Sequence, residues 1–555
     1  MPYHRAMRLG LAVIALATAL SAFAQTITIP PATPVAKAIE PLVEVSRLDE
    51  MRWPDFTDYR KHIRNFYAPR GYEPAWVANG RPTPQAIAVI ALFDAADAKG
   101  INAVDYDATR WPERIAALPR ATPDSVARFD LALSASLMRY ISDLHIGRIN
   151  PRNVRFELDI ETKKYYLPHL LDEIKSAPDP RTILDQIEPP YDEYKRLQAA
   201  LATYRKLAAA AGTEPPLPEV KSLKPGDAYA ALPQLAQRLR RVGDLPPNAN
   251  IDAKVYGGAL VDAVKRFQSR HGLAPDGVIS ARTLKQLNVP LGVRARQIEW
   301  ALERWRWAPA DFERPPIVVN IPEFVLRAWS DERGHTAMQM RVVVGQTLSH
   351  QTPVFEAAMR YVVFRPYWNV PPTIQSKELV PHAAKDPSYL ERNGYELVSA
   401  DDEPLPSSRV DAAILARLRS YDLSIRQKPG ANNALGLVKF MFPNQNNVYL
   451  HSTPSQELFS RSRRDFSHGC VRVEDPTALA AWVLREQPQW TPEKIKAAMN
   501  GKEPSQVNLR NPIPVMIIYT TATVDDEGKI HFFEDIYGHD ATLQNALAAG
   551  YPYPA

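Results

Sequence analysis

Apolar residues recur every three or four positions from Phe56 to about Leu217, whereas after about Pro315 they fall into short β-branched and aromatic runs. The first pattern predicts helices. In PTPQAIAVIALFDAADAKG, residues 82–100, Thr83 suits an N-cap, Pro84 the first turn and Gly100 the stop. SVARFDLALSASLMRYISDLHIG, residues 125–147, predicts a longer one. This half groups no acid, base and nucleophile, so residues 46–220 read as a helical scaffold. The second pattern predicts strands in PIVVNIPEFVLRAW, AMQMRVVVG, YVVFRP, LVKFMF, NVYLH and PVMIIYTTATV, and a helix opening at Asp475-Pro476. A mainly-β domain is expected over 315–525, with 526–555 as a C-terminal extension. Residues 386–423 break the strand grammar and read as a mobile capping insertion.

Between these halves, residues 223–291 hold two helical segments, a turn at Asp276-Gly277 and a short helix capped by Ser280. The fold class is therefore multidomain α+β. Proline-rich residues 25–45 read as an extended linker.

The first residues bear on compartment. Arg5 and Arg8 precede an apolar run from Leu9, and Ala22-Phe23-Ala24 offers a small-x-small cleavage site, so residues 1–24 read as an export signal. That run falls short of the roughly 18–20 residues that span a bilayer, so no stable membrane span is expected once the signal is cleaved. The formal charge of +5 leans weakly towards acidic partners. No basic stripe is interleaved with aromatics, which argues against nucleic acid.

Export sharpens the question posed by the single cysteine, Cys470, in RDFSHGCVRVEDP. One cysteine makes no internal disulfide. It is a small buried hydrophobe, a zinc ligand together with His451 and His468, or a nucleophile. Nucleophilic chemistry needs a base, a group that orients it and backbone donors for an oxyanion; Gly469 would allow a close backbone approach. Tyr449 lies two residues before His451 and so shares its strand face. Trp368 and Asn369 are candidates for a cleft wall, and Arg461, Arg463 and Arg464 form either a solvated loop or a patch that attracts acidic groups.

Two family resemblances follow from these residues. AVKRFQSRHGLAPDGVISARTLKQL is similar to the second half of the three-helix peptidoglycan-binding module, matching at Phe267, Gln268, Gly272, Leu273, Asp276, Gly277, Thr283 and Leu287, with Ser280 where glycine is usual. Phe267 and Leu287 are expected in its core. His451, the gap 452–466, Ser467, His468, Gly469, Cys470 and Arg472 resemble the motif of the L,D-transpeptidases. LERWRWAP, FRPYWNVPPTI and VYLHSTPSQELF look like its large periplasmic members, so a periplasmic location is implied.

That resemblance implies Cys470 as nucleophile, His451 as its base and the Ser452 carbonyl as the group orienting the imidazole. It also implies Gly469 and Cys470 N–H groups as oxyanion donors, assisted by Tyr449. His468 would shape the pocket, Ser467 would fix His468, and Arg472 would support the loop and favour the thiolate. No cofactor or metal is implied. The partners would be peptidoglycan tetrapeptide stems, donor and acceptor, with room for other cell-wall synthesis proteins. The reaction would be 3-3 cross-linking with loss of D-alanine; L,D-carboxypeptidase action and a non-catalytic wall-binding scaffold are the alternatives.

Overall fold

A computed structural model describes residues 32–550. The expected export signal and the first part of the expected linker lie outside the described residues. The rest of that linker is a helix, α1 (Pro34–Val45), capped by the Thr33 hydroxyl, which accepts from Ala36 N–H at 3.2 Å. Ala36, Ile39 and Val43 share one face and are buried in the helical domain. Proline at the first turn favours the helix rather than opposing it. Its proline content made this segment look extended, while the apolar spacing was already helical.

Against α1 pack α2 (Arg60–Tyr67) and the central α4 (Pro123–His145), and α3 (Pro84–Asp94) joins the same core through α4. Nearly every α4 residue from Ala127 onward is buried, so it is enclosed on all sides. Replacing a leucine such as Leu137 there by alanine costs about 2–5 kcal/mol. Buried Asp130 is satisfied by Tyr67 OH at 2.6 Å and by the N–H groups of Ala75, Trp76 and Val77 at 2.8, 2.7 and 3.1 Å.

The long helix α5 (Asp192–Ala211) ends the scaffold and leads into the three-helix module α6 (Leu232–Arg241), α7 (Gly258–Arg270) and α8 (Ala281–Leu287). Phe267, Leu284 and Leu287 lie in that module's core. Gln268 pins the turn: its Nε2 donates to Asp276 Oδ1 at 3.0 Å and its Oε1 accepts from Gly277 N–H at 2.8 Å. The FQ and DG pairs are thus one structural device.

Helix α9 (Leu291–Trp307) joins the module to the β domain and packs along α5. Its fully buried Glu303 accepts from Arg148 N–H at 2.5 Å and pairs with Arg306 at 3.3 Å. Gly147, at φ +82°, passes so close that a Cβ would lie 2.6 Å from Trp307 Nε1.

The β domain begins with β1 (Ile317–Asn320), β2 (Val325–Trp329), β3 (Thr336–Gly345) and β4 (Phe355–Phe364). A small sheet follows, with β5 (Trp368–Asn369), β6 (Tyr395–Val398), β7 (Pro404–Leu405) and β8 (Ser424–Gln427) in the order β7–β6–β8–β5. Then come β9 (Val438–Met441), β10 (Leu450–His451), β11 (Asp465–Ser467), β12 (Val471–Val473) and β13 (Ser505–Ile518). The main nine-stranded sheet runs β11–β3–β12–β10–β9–β4–β13–β1–β2 and closes because β3 also pairs with β2.

Two expected boundaries are corrected. The insertion is not confined to 386–423: Val370, Ile374, Leu379, Val380 and Ala383 share a core with Leu397, Leu418 and Ile425, and the small sheet needs β5 and β8. Residues 526–550 are not appended to the β domain but built into it. Ile530–Phe532 pairs with Ala522–Val524, and helix α10 (His539–Ala548) buries Leu543 in the main core. Asp540 on α10 meets Arg304 of α9 at 2.6 Å, both buried.

Candidate active site

Strand β10 lies between β9 and β12, antiparallel to the first and parallel to the second. His451 is in register with Lys439 on one side and Arg472 on the other. Strand β12 opens directly after Cys470, and Val471 N–H donates to the Tyr449 carbonyl at 3.1 Å. The sheet thereby brings Tyr449, His451, Cys470 and Arg472 together from segments that are distant in the chain.

His451 is buried, and its Nδ1 lies 2.5 Å from the Ser452 carbonyl oxygen. A carbonyl only accepts, so in the neutral ring Nδ1 carries the hydrogen and Nε2 keeps a lone pair. Ser452 N–H in turn donates to Val438 at 2.9 Å, which fixes that carbonyl. Gly436, at φ +62°, makes room: a Cβ would lie 2.5 Å from Ser452 Oγ. Burial, followed by the charges of Arg472 and Lys439, lowers the His451 pKa to about 3, so the imidazole is neutral near pH 7.

Burial pushes the Cys470 thiol above its usual range, while Tyr449, Arg472 and Lys439 act in the opposite direction. The resting pair is therefore neutral thiol and neutral imidazole. Burial, and then the cysteine beside it, raises the Tyr449 phenol, which stays a hydrogen-bond donor. Its ring meets His451 edge-on at 5.7 Å, and the Lys439 ammonium lies 5.8 Å from its centroid. Gly469 adopts φ +111°, a conformation closed to most side chains.

This geometry can be set beside known proteins. Residues 314–506 match the family model described as "L,D-transpeptidase catalytic domain", 230–287 that of "Putative peptidoglycan binding domain" and 61–201 that of "Scaffold domain". The chain carries an L,D-transpeptidase catalytic domain. A curated protein of Haemophilus influenzae, described as "Putative L,D-transpeptidase", is 34% identical over 230 residues, which cover 41% of this chain and 45% of that protein. The chain thus spans less than half the length of that relative. A solved L,D-transpeptidase fragment from Xylanimonas cellulosilytica is 15% identical, covering 55% of this chain and all of that one, with a TM-score of 0.17. At that score it adds nothing to the description of the fold.

Within the transpeptidase domain several expected placements change. His468 is exposed and turned to the insertion, with Nε2 2.7 Å from Glu378 Oε1 and its ring 4.8 Å from that of His350. It does not join His451 and Cys470, and among the described residues no group of three or more His, Cys, Asp or Glu could hold a metal. Ser467 fixes the nucleophile loop rather than His468: its hydroxyl donates to the Cys470 carbonyl at 2.5 Å and accepts from Gly469 N–H at 3.2 Å. Gly469 N–H, expected as an oxyanion donor, is engaged there. Trp368 sits in the insertion sheet opposite Gln427, its ring 6.3 Å from Tyr395, as a packing residue. Arg464 is buried, donating to the carbonyls of Val342 and Phe324 at 3.1 and 3.0 Å, so it is neither solvated nor free to attract stems.

The sequence reading missed Lys439, Glu378 and Thr352. Lys439 is placed only by the register of β9 on β10. Glu378 arrives from an insertion whose true extent was not visible. Thr352, whose hydroxyl donates to the Gly469 carbonyl at 2.8 Å, is 117 residues away in sequence. No helix among the described residues is long and apolar enough to cross a membrane.

Proposed function

We propose that this chain is a peptidoglycan L,D-transpeptidase of the periplasm that makes 3-3 cross-links through a Cys470 thioester. The observation that carries the reading is the buried His451, its Nδ1 held by the Ser452 carbonyl, on a strand paired in parallel with the one that begins directly after Cys470. A neutral imidazole and a neutral thiol suit proton transfer concerted with attack. His451 takes the thiol proton as sulfur attacks the carbonyl of the third residue of a tetrapeptide stem. The tetrahedral oxyanion is met by Cys470 N–H and the Tyr449 hydroxyl. The C–N bond breaks, His451 returns the proton to the leaving D-alanine, and a thioester remains. The side-chain amine of a diaminopimelate on an acceptor stem then attacks, His451 takes its proton, and the thiolate leaves and is reprotonated. Water in the acceptor's place would give L,D-carboxypeptidase action.

Purified residues 25–555 incubated with tetrapeptide muropeptides should release D-alanine and form cross-linked dimers detectable by mass spectrometry. Cys470→Ala should do neither. A carbapenem should add its mass to the wild type and not to Cys470→Ala. Dimers or D-alanine release surviving in Cys470→Ala would sink the thiol mechanism. Shortened stems without dimers would move the reading to the carboxypeptidase.

A further inference from the structure

The carbonyl of Gly469 and the N–H of Cys470 belong to one planar, trans peptide unit, so fixing the direction of the first fixes that of the second. The Thr352 hydroxyl holds that carbonyl at 2.8 Å. Thr352 is 1% exposed, and its hydroxyl also accepts from Gly345 N–H at 2.9 Å, so both its hydrogen-bonding roles are committed. The corner from Gly345 to Thr352 is tight: a Cβ on Gly345 would lie 1.9 Å from the His350 carbonyl oxygen.

A single hydroxyl closes that corner from outside. Tyr537 OH donates to the Gly345 carbonyl at 2.6 Å and accepts from Thr352 N–H at 3.2 Å. Tyr537 is itself anchored. Its N–H donates to Tyr519 OH at 2.9 Å, which donates to Asp535 Oδ1 at 2.5 Å, and Asp535 accepts from His539 and Asp540 N–H at 2.9 and 3.0 Å. Asp540 closes the chain on Arg304 of α9.

We propose that Tyr537 and Thr352 are positioning residues for the oxyanion site: Tyr537 locks the Gly345–Thr352 corner, and Thr352 aims the Cys470 N–H by holding the Gly469 carbonyl. Tyr537 lies beyond the 314–506 span of the catalytic-domain match, so this part of the apparatus is supplied by the C-terminal segment. The catalytic half of the proposal rests on the thioester reading above.

Acylation develops an oxyanion, whereas alkylation of sulfur by iodoacetamide develops none, and this contrast separates aim from general damage. Losing a well-aimed oxyanion donor lowers kcat about 10²–10³-fold, and misaiming one should cost part of that. For acylation by a tetrapeptide stem, Thr352→Val should lower kcat roughly 10- to 100-fold and Tyr537→Phe roughly 3- to 10-fold, with KM and the alkylation rate unchanged. Thr352→Ser, which keeps the hydroxyl, should restore most of the rate. Because the two residues act in series, the double variant should be no slower than Thr352→Val alone. Hydrogen exchange of the peptide spanning 467–473 should quicken in both single variants, whether or not the substrate is right. If the wild type forms no acyl-enzyme, the transpeptidase reading falls and the exchange measurement alone decides the brace. Unchanged exchange, equal losses of alkylation and acylation, or multiplicative losses in the double variant would overturn the proposal.

Discussion

His451 and His468 both precede the same thiol in the motif, yet the structure gives them opposite surroundings. His451 is at the end of a sheet strand, buried, and bracketed in register by Lys439 and Arg472. His468 is on the rim and exposed, meeting a carboxylate of the insertion. Burial and two cations keep the His451 ring neutral, whereas His468 sits beside a carboxylate at the surface. The difference teaches that the motif supplies two imidazoles for different work, one to move a proton and one to join the loop to the cap.

The largest effect expected from this contrast is on the acylation rate. His451→Gln should slow acyl-enzyme formation about 10²–10⁴-fold, the usual worth of a positioned base. An equal loss in His468→Gln would erase the distinction. A pH profile sharpens it next. With His451 held to about 3, it stays neutral across pH 5–8, so acylation should not decline through its protonation as pH falls from 8 to 5. Lys439→Met removes a cation that lowers both Cys470 and His451, so the midpoint of iodoacetamide alkylation should move to higher pH. An unmoved midpoint would mean that the ammonium does not act on the sulfur. The smallest effect belongs to the rim. Glu378→Gln breaks an exposed pair worth about 0–1 kcal/mol, so kcat/KM should change at most a few-fold, with alkylation unaffected.

What the sequence made legible follows physical range. The helices of 82–100 and 125–147, the Gln268 and Asp276-Gly277 device and the strands of the β domain are written in local periodicity and capping, and they stand where expected. The carbonyl partner of His451, one residue away, was expected from the resemblance to the L,D-transpeptidases and not from any local pattern. Misreadings arose where composition was weighed above spacing, as in the proline-bearing helix α1, or where a core is assembled from both ends of an excursion, as in the insertion. Lys439 and Tyr537 owe their positions to strand register and to a C-terminal return onto the β domain. Neither relation leaves a mark in a short window of sequence.

The parallel pairing of β10 with β12 has one more consequence. Adjacent parallel strands cannot be joined by a tight turn; the chain must cross back over a dozen or more residues before starting again in the same direction. The separation between His451 and Cys470 is therefore a return path, taken here through the one-turn helix Gln456–Ser460 and strand β11. Its outer part has latitude in composition and modest latitude in length. From Asp465 onward it has little, because there Asp465 and Ser467 are paired with β3 and the loop that follows sets the place of the thiol.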